Sequence, residues 1–330
     1  MPTHNIIVIG GSAGAVEALG DVLHGLPADL PAVVCAVLHR GLREPDLLAA
    51  VLSRISKLPI SVATHGTQFK PGHVYLAPGG AHLLIGKNKL TVVKGPSVNF
   101  HRPAIDPLFR SAAHYHGARV AGVILSGYRD DGAAGLQVIR GRGGVAIVQD
   151  PKDAAVPAMP QSVLDRLEAD YILPAAKIPG VLVALSRNGR MPRGLKPPRR
   201  RGRKLRSEQK PSTFTCPDCG GALWEITEGD VLTYRCRVGH SFTGDNMMAG
   251  QDQEVERALW SALRALEERT DLARRLAEQA RRTHRAKAAD VFRKRAASSQ
   301  ADADALRGLL LPNAAEVEDI APGNYHKRQS

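Results

Sequence analysis

Residues 1–186 alternate short apolar runs with stretches in which the apolar positions recur at helical spacing. Strands that alternate with crossover helices are typical of a doubly wound, mostly parallel α/β sheet, so the pattern predicts this fold class. The runs 82–85 and 90–93 flank Gly86-Lys87-Asn88-Lys89 and predict an antiparallel hairpin on the rim of that sheet. The strand-length runs are 5–9, 31–38, 120–125, 145–148 and 171–173, and the helix-spaced stretches are 15–26, 44–55, 132–140 and 160–166.

The pattern changes beyond residue 186, and the chain then divides into four further segments. Apolar residues return at helical spacing after residue 251, which predicts two long helices broken near 281–287. These helices form either a simple hairpin or a coiled coil with another chain. The predicted segments are a catalytic domain at 1–186, a basic linker at 187–213, a zinc-ribbon-like segment at 214–245, the helices at 251–311 and a disordered tail at 312–330.

Most of the positive charge lies in the predicted linker. The formal net charge is +13, and 187–210 contains eleven Lys or Arg residues and one acid, Glu208. This stretch has no apolar periodicity and contains prolines, so it is typical of a solvated linker, which either simply stays extended or also binds an acidic surface. The rest of the chain is close to charge balance, which makes nucleic acid an unlikely partner for its folded parts.

The sequence has neither a membrane-spanning run nor an export signal. No segment approaches the ~20 consecutive apolar residues that a transmembrane helix needs, and no basic segment precedes the first apolar run. Three of the four cysteines cluster at metal-ligand spacing rather than as disulfide pairs. We therefore expect a cytoplasmic protein.

The cysteine cluster has the spacing of a zinc ribbon. Cys216 and Cys219 form one knuckle, and Cys236 and His240 form a second one sixteen residues further along. Three thiolates and an imidazole complete a closed tetrahedral site, so the spacing predicts a structural zinc ion and no catalytic cofactor. Free thiols are the alternative. Zinc ribbons and basic linkers also occur in nucleic-acid-binding proteins, which leaves that function as a second possibility.

A glycine-rich turn follows the first predicted strand and contains a candidate nucleophile. Gly10-Gly11-Ser12-Ala13-Gly14 satisfies G-x-S-x-G between a strand and a helix, the context in which a serine is exposed for attack. The alternative is a phosphate-binding turn in which Ser12 caps the helix. A dinucleotide site is excluded, because Ser12 replaces the second glycine of that motif and the second strand ends in His39 rather than an acid.

Two further strand ends supply a base and an acid. His39 follows the second strand, and Asp130-Asp131 follow the strand 120–125. The carboxyl ends of strands in an open α/β sheet converge on one crevice, so these groups are expected to form a Ser-His-Asp triad with Ser12. Spacing does not decide between Asp130 and Asp131, and the alternative role for one of them is that of a helix cap. The chain order Ser, His, Asp differs from that of ordinary α/β-hydrolases.

About residues 5–186 resemble the catalytic domain of the CheB-type chemotaxis protein-glutamate methylesterases. This chain has Ala13-Gly14-Ala15 where the family usually has Thr-Gly-Gly, and Tyr128 where it usually has Met. The resemblance is carried by five ordered blocks: Ile9-Gly10-Gly11-Ser12-Ala13-Gly14, Val37-Leu38-His39, the run from Val74 to Leu83, the run from Arg102 to Ala113, and the run from Leu125 to Leu136.

The resemblance implies a function and assigns residues to it. It implies an enzyme that removes methyl esters from receptor glutamates and deamidates some receptor glutamines, with the cytoplasmic helices of methylated chemoreceptors as partners. It selects Asp131, the acid before the glycine, as the third triad member, and the backbone N–H groups of Ala13 and Tyr128 as oxyanion donors. The family's receiver domain should precede the catalytic domain, and only four residues do so here.

Two expectations concern the C-terminal half. The helices at 251–311 are expected to bind a helical partner or a second copy of the chain. Chelation of the metal is expected to unfold the ribbon and spare ester hydrolysis, since the triad lies wholly in 1–186. A noncatalytic adaptor that binds partners through the ribbon and helices is the alternative to an enzyme, and an intact Ser, His, Asp set disfavours it.

Overall fold

The computed structural model describes residues 4–39, 47–187, 207–228 and 231–311. Contacts divide the chain into two compact units, Met1–Met248 and Ala249–Ser330. The predicted disordered tail and residues 188–206 of the predicted linker lie outside the described residues. Each unit is described below by itself.

The first unit contains a sheet of seven strands, all parallel, and a separate two-stranded antiparallel hairpin. The nine strands are β1 (Ile6–Gly11), β2 (Val33–Leu38), β3 (Ile60–Val62), β4 (His73–Leu76), β5 (His82–Ile85), β6 (Leu90–Val93), β7 (Val120–Ile124), β8 (Val145–Gln149) and β9 (Tyr171–Leu173). The sheet has the order β3-β4-β2-β1-β7-β8-β9, and β5 pairs with β6. The predicted α/β class, with its rim hairpin, is confirmed.

Helices cover both faces of the seven-stranded sheet, which explains why its strands are apolar throughout. Ile7 and Ile9 of β1 join one buried cluster, and Ile6 and Val8 join the cluster on the opposite face. Parallel strands with both faces covered have this continuous apolar character. The helices are α1 (Ala15–Gly25), α2 (Leu47–Ser53), α3 (Ile105–His116), α4 (Ala133–Gly141), α5 (Ala158–Leu164) and α6 (Ile178–Arg187).

Strand β1 lies at the point where the strand order reverses. It pairs with β2 on one side and with β7 on the other, so that Gly11 lies beside Leu38 and Gly10 beside Ile124. Open α/β sheets have their binding crevice at such a point, beyond the carboxyl ends of the strands. The carboxyl ends of β1, β2 and β7 therefore meet at one edge.

A four-stranded antiparallel sheet, here called the C-terminal sheet, completes the first unit. Its strands are β10 (Ser207–Thr215), β11 (Ala222–Glu228), β12 (Val231–Cys236) and β13 (Ser241–Thr243), in that order. Leu223 and Phe242 lie in its small core, against which Phe100 of the β6–α3 connection packs. Strand β10 begins inside the stretch 187–213. Its polar, proline-containing sequence gives no strand signal, because an edge strand needs no apolar alternation.

Two long helices follow the C-terminal sheet, α7 (Gly244–Arg282) and α8 (Ala286–Leu310). They meet through buried small side chains such as Ala277 and Ala296. The Arg269 Nε–H donates to Ser299 Oγ at 2.7 Å across the pair. The break between the two helices lies within the predicted range 281–287. Within the described part of the chain, no helix has the length and apolar character needed to cross a membrane.

Candidate active site

The structure brings the three predicted triad residues to one edge of the sheet. Ser12 follows β1, His39 follows β2, and Asp131 lies in the loop between β7 and α4. The Ser12 N–H donates to the Ser126 carbonyl at 2.9 Å, and the His39 N–H donates to the Gly11 carbonyl at 3.1 Å. Backbone pairing therefore continues past the strand ends and fixes the positions of Ser12 and His39.

Ser12 lies in a turn that only glycine neighbours permit. Gly14 has φ +71°, and a Cβ there would lie 2.6 Å from Ala155 Cβ and 2.8 Å from Ser126 Oγ. A Cβ on Gly127 would lie 2.8 Å from Ser12 Cβ, so the backbone of the β7–α4 loop passes directly beside the serine. Close packing of this kind holds a nucleophile in one orientation.

His39 is joined to Asp131 by a short hydrogen bond. His39 Nε2 lies 2.7 Å from Asp131 Oδ2, and the two side chains are 5% and 1% exposed. The other ring nitrogen, Nδ1, is buried and has no hydrogen-bond partner among the described residues. The carboxylate therefore keeps the proton on Nε2 and leaves the Nδ1 lone pair available as a base.

Asp131 is held by donors on both of its oxygens. Besides His39, Oδ2 accepts the Ile105 N–H at 2.6 Å, and Oδ1 accepts the Asp106 N–H at 3.3 Å and Asn99 Nδ2–H at 2.9 Å. Ile105 and Asp106 begin α3, so Asp131 also caps that helix. Burial opposes ionisation, but the hydrogen bonds from His39, Ile105 and Asn99 outweigh it and hold the pKa of Asp131 below its ordinary value.

The neighbouring acid, Asp130, points elsewhere. Its Oδ1 accepts a hydrogen bond from Asn246 Nδ2, and its Oδ2 lies 3.4 Å from Arg166 Nη2. Burial raises the pKa of the Asp130 carboxyl. Sequence spacing left the choice between the two acids open, and in the structure the hydrogen bond to His39 belongs to Asp131.

A third buried carboxyl, Asp106, lies beside Asp131. Its Oδ1 accepts the Gly135 N–H at 2.6 Å, and its Oδ2 accepts Asn99 Nδ2–H at 3.2 Å. Burial raises the pKa of Asp106 to about 7, and the charge of Asp131 adds to that rise. The raised pKa keeps much of Asp106 protonated near neutral pH. The negative charge is therefore concentrated on Asp131, next to His39.

Sequence reasoning missed His101, which stacks on the candidate base. The rings of His39 and His101 lie 3.6 Å apart at an interplanar angle of 12°. Burial, followed by the charge of His39, lowers the pKa of His101 to about 4. The ring is therefore neutral at physiological pH and holds His39 in place without adding charge. Its only sequence signal is its position directly before the Arg102-Pro103 block.

The two predicted oxyanion donors are Ala13, which follows Ser12 directly, and Tyr128, which follows Gly127 in the β7–α4 loop. Neither the Ala13 N–H nor the Tyr128 N–H donates a hydrogen bond within the described residues. The Tyr128 side chain is 63% exposed. It lines a surface cavity of about 440 Å³ with Ala155, Val156, Pro157, Ala158 and Gln161. Unpaired N–H groups near a nucleophile can donate hydrogen bonds to the oxyanion of a tetrahedral intermediate and so stabilise its negative charge.

The four predicted metal ligands also converge. One ligand atom from each of Cys216, Cys219, Cys236 and His240 lies within 4.8 Å of the others. Cys219 Sγ and Cys236 Sγ are 3.7 Å apart, and Cys236 Sγ and His240 Nδ1 are 3.5 Å apart. Tetrahedral Zn–S bonds of about 2.3 Å place two sulfurs about 3.8 Å apart, whereas a disulfide needs about 2.05 Å. The arrangement fits a metal and excludes a disulfide in the cluster.

Asp218 lies on the outer side of the candidate metal centre. Its Oδ2 is 3.9 Å from His240 Nε2, while His240 Nδ1 faces the sulfurs. A carboxylate behind a metal-bound histidine fixes the ring and strengthens its donor nitrogen. The Ser97 hydroxyl donates to the same carboxylate. Asp218, between the two cysteines of the first knuckle, therefore joins the candidate metal centre to the β6–α3 connection.

Comparison with known proteins gives matches over the same range as the predicted resemblance. The family model described as CheB methylesterase matches residues 7–182. A protein of Anaeromyxobacter dehalogenans named protein-glutamate methylesterase/protein-glutamine glutaminase 2 is 39% identical over 182 residues, which are 55% of this chain and 53% of its own length. A protein of the same name from Xanthomonas oryzae pv. oryzae is 40% identical over 192 residues, or 57% of this chain and 53% of its own length.

A solved structure also matches a little over half of the chain. The crystal structure of the Thermotoga maritima CheB methylesterase catalytic domain has a TM-score of 0.52 and 35% sequence identity. The match covers 56% of this chain and 99% of that domain. The chain spans about half the length of the two longer relatives, and the family model ends at residue 182, before the C-terminal sheet and helices.

Proposed function

Because the chain belongs to the CheB methylesterase family, we propose that it hydrolyses γ-methyl esters of glutamate side chains, and deamidates some glutamines, on the cytoplasmic helices of methylated chemoreceptors. The observation that carries this proposal is the 2.7 Å hydrogen bond between His39 and Asp131, at the strand end beside Ser12. No observation on the described residues favours a noncatalytic adaptor or a nucleic-acid-binding protein.

In the proposed mechanism, Ser12 Oγ attacks the ester carbonyl carbon while His39 Nδ1 takes the hydroxyl proton. The N–H groups of Ala13 and Tyr128 stabilise the oxyanion of the tetrahedral intermediate. The intermediate collapses, His39 returns the proton to the methoxy oxygen, and methanol leaves an acyl group on Ser12. Water attacks this acyl-enzyme by the same route and releases the glutamate carboxylate. With a glutamine side chain the leaving group is ammonia.

Asp131 stabilises the imidazolium that forms on His39 in both steps. The carboxylate remains ionised, because its hydrogen bonds hold its pKa below the ordinary value. The His101 ring stacks on His39 and is neutral. It therefore adds no positive charge that would oppose protonation of His39. No cofactor enters these steps, which need only the side chains and backbone groups named here.

The receptor substrate places the site of action in the cytoplasm. The helices α7 and α8 are the proposed means of contact with a helical partner or with a second copy of the chain. Contact with a helical partner at the receptor raises the local concentration of the catalytic domain near its substrate, whereas contact with a second copy pairs two catalytic domains.

Methanol release tests the proposed activity. Membranes that carry chemoreceptor with radiolabelled methyl esters are incubated with the full-length chain, and volatile label is measured against time. We expect release that follows enzyme concentration, and no release above background from receptor whose glutamates are unmodified. A full-length chain that hydrolyses small esters but releases no methanol from the receptor would contradict the proposed substrate.

We assign the cluster of Cys216, Cys219, Cys236 and His240 to a structural zinc ion, on the evidence of its distances and its closed donor set. Four protein ligands leave no open position for substrate, so this ion would stabilise the fold and take no part in hydrolysis directly.

Elemental analysis of full-length protein, purified without chelator, is expected to give about one zinc ion per chain. Cys236→Ser is expected to reduce this content severely, because it removes one of four ligands. Cys35→Ala is the matched control, since Cys35 is buried in β2 outside the cluster. Metal-free wild-type protein, or equal metal loss in both variants, would contradict the assignment.

A further inference from the structure

Asn99 joins the candidate catalytic acid to the C-terminal sheet. Its Nδ2 donates to Asp131 Oδ1 at 2.9 Å and to Asp106 Oδ2 at 3.2 Å, and its Oδ1 accepts the Thr243 N–H at 2.9 Å. The side chain is 1% exposed. Both ends of the amide are thus engaged, and the hydrogen bond from Thr243 fixes which end faces Asp131.

The backbone at Asn99 is held by the same strand. The Asn99 N–H donates to the Ser241 carbonyl at 2.8 Å, and Val98 forms a parallel bridge with Ser241. Asn99 and Phe100 have φ +52° and +65°, a region that non-glycine residues rarely adopt. The Phe100 ring packs on Phe242 with centroids 5.0 Å apart. Strand β13 therefore maintains an unfavourable backbone conformation that points the Asn99 amide at the acids.

The contact matters because Asp131 Oδ1 has few other donors. Without Asn99, the Asp106 N–H, at 3.3 Å, is the donor left to Oδ1 among the described residues. Asn99 is also a neutral donor shared by two buried carboxyls that otherwise repel each other. Losing the amide would leave Oδ1 with one long hydrogen bond, so the carboxylate would be oriented mainly through Oδ2 and held less firmly towards His39.

We infer that Asn99 is a positioning residue for Asp131, and that the C-terminal sheet sets its orientation through the Thr243 N–H. This inference rests on the proposed triad. The sequence led to the expectation that chelation of the metal would spare ester hydrolysis. This inference predicts instead that unfolding the ribbon lowers the rate of hydrolysis. Although the ribbon contributes no catalytic residue, hydrolysis requires that β13 stay in place.

The first half of the inference is tested with Asn99→Gly in the full-length, zinc-loaded chain. Glycine adopts the same backbone conformation without strain, so the substitution removes the amide alone. With 4-nitrophenyl acetate as substrate we expect kcat to fall about 10- to 100-fold at unchanged KM, and phosphonylation of Ser12 by a serine-directed fluorophosphonate to slow by the same factor. Asn88→Gly, in the exposed β5–β6 turn, is the control and should match wild type.

The second half is tested with Thr243→Pro, which removes the N–H that binds Asn99 Oδ1. Thr213→Pro introduces the same residue in β10, at the opposite edge of the C-terminal sheet, and serves as control. We expect Thr243→Pro to lower kcat and Thr213→Pro to leave it within twofold of wild type. If both positions act through one contact, the double variant Asn99→Gly/Thr243→Pro loses no more than Asn99→Gly alone.

Zinc removal from wild type gives an independent route should Thr243→Pro disturb the fold. Chelation should lower wild-type kcat by a factor similar to Asn99→Gly and add little to the loss in that variant. An Asn99→Gly kcat within twofold of wild type overturns the first half, and losses that multiply in the double variant and after chelation overturn the second. A chain that shows the expected losses on the small ester but releases no receptor methanol retains this inference and loses the proposed substrate.

Discussion

Ser12→Ala is expected to abolish methanol release and ester hydrolysis, lowering kcat by about 10⁶. His39→Ala should cost about as much, and the double variant no more than either single one, because nucleophile and base work as a unit. The structural basis is the position of Ser12 beside His39, whose buried Nδ1 has no hydrogen-bond partner among the described residues. Steady-state kinetics on the small ester and on methylated receptor measure the loss.

Matched controls separate chemistry from folding. Ser53→Ala, in the exposed part of α2, and His65→Ala, in an exposed loop, should retain wild-type rates. The circular dichroism spectrum and the zinc content of Ser12→Ala should equal those of wild type, since the serine hydroxyl makes no structural hydrogen bond among the described residues. Residual activity in Ser12→Ala within tenfold of wild type would exclude Ser12 as the nucleophile.

The two adjacent aspartates are expected to differ by orders of magnitude. Asp131→Asn should lower kcat about 10⁴-fold, the cost of the equivalent change in other Ser-His-Asp hydrolases, because an amide no longer stabilises the imidazolium or selects its tautomer. Asp130→Asn should cost less than tenfold, since Asp130 contacts Asn246 and Arg166 rather than His39. Parallel kinetics on both variants measure the difference, and equal losses would contradict the assignment of Asp131.

Asp131→Asn should also lower stability, which distinguishes it from Ser12→Ala. The carboxylate accepts hydrogen bonds from His39, Asn99 and the first N–H groups of α3. An asparagine offers one acceptor oxygen, so at least one buried donor loses its partner, at a cost of about 1–3 kcal/mol. Thermal unfolding of the two asparagine variants is therefore expected to give a lower Tm for Asp131→Asn than for Asp130→Asn.

The sequence predicted those parts of the site that follow from strand ends. His39 stands directly beyond an apolar run, and Ser12 and Asp131 stand in the loops that follow two others. Parallel strands bring these carboxyl ends together whatever the lengths of the connections. The candidate metal ligands could also be predicted from the sequence, because Cys and His at knuckle spacing are rare in other contexts. Side-chain period and residue chemistry are local properties, and both can be seen in one sequence.

The parts that could not be predicted depend on contacts between distant segments. Asn99 and His101 lie in a connection without periodicity, and their roles arise only where β13 and His39 meet that connection. Strands β3 and β4 were missed because the polar residues Ser61 and His73 shorten their apolar runs, and α3 was missed because Pro107 lies in its first turn. The choice between Asp130 and Asp131 came from the resemblance, since two adjacent acids have the same spacing signal.

The position of β1 in the middle of its sheet also bears on how the chain assembles during synthesis. Ile6 of β1 pairs with Val33 on one side and with Val120 on the other. The emerging chain can therefore form the β1–β2 pair early. The opposite edge of β1 stays unpaired until β7 has left the ribosome. Ser12 and His39 come together first, and Asp131 joins them last, so a truncated translation product lacks the third member of the proposed triad and has an open, aggregation-prone strand edge.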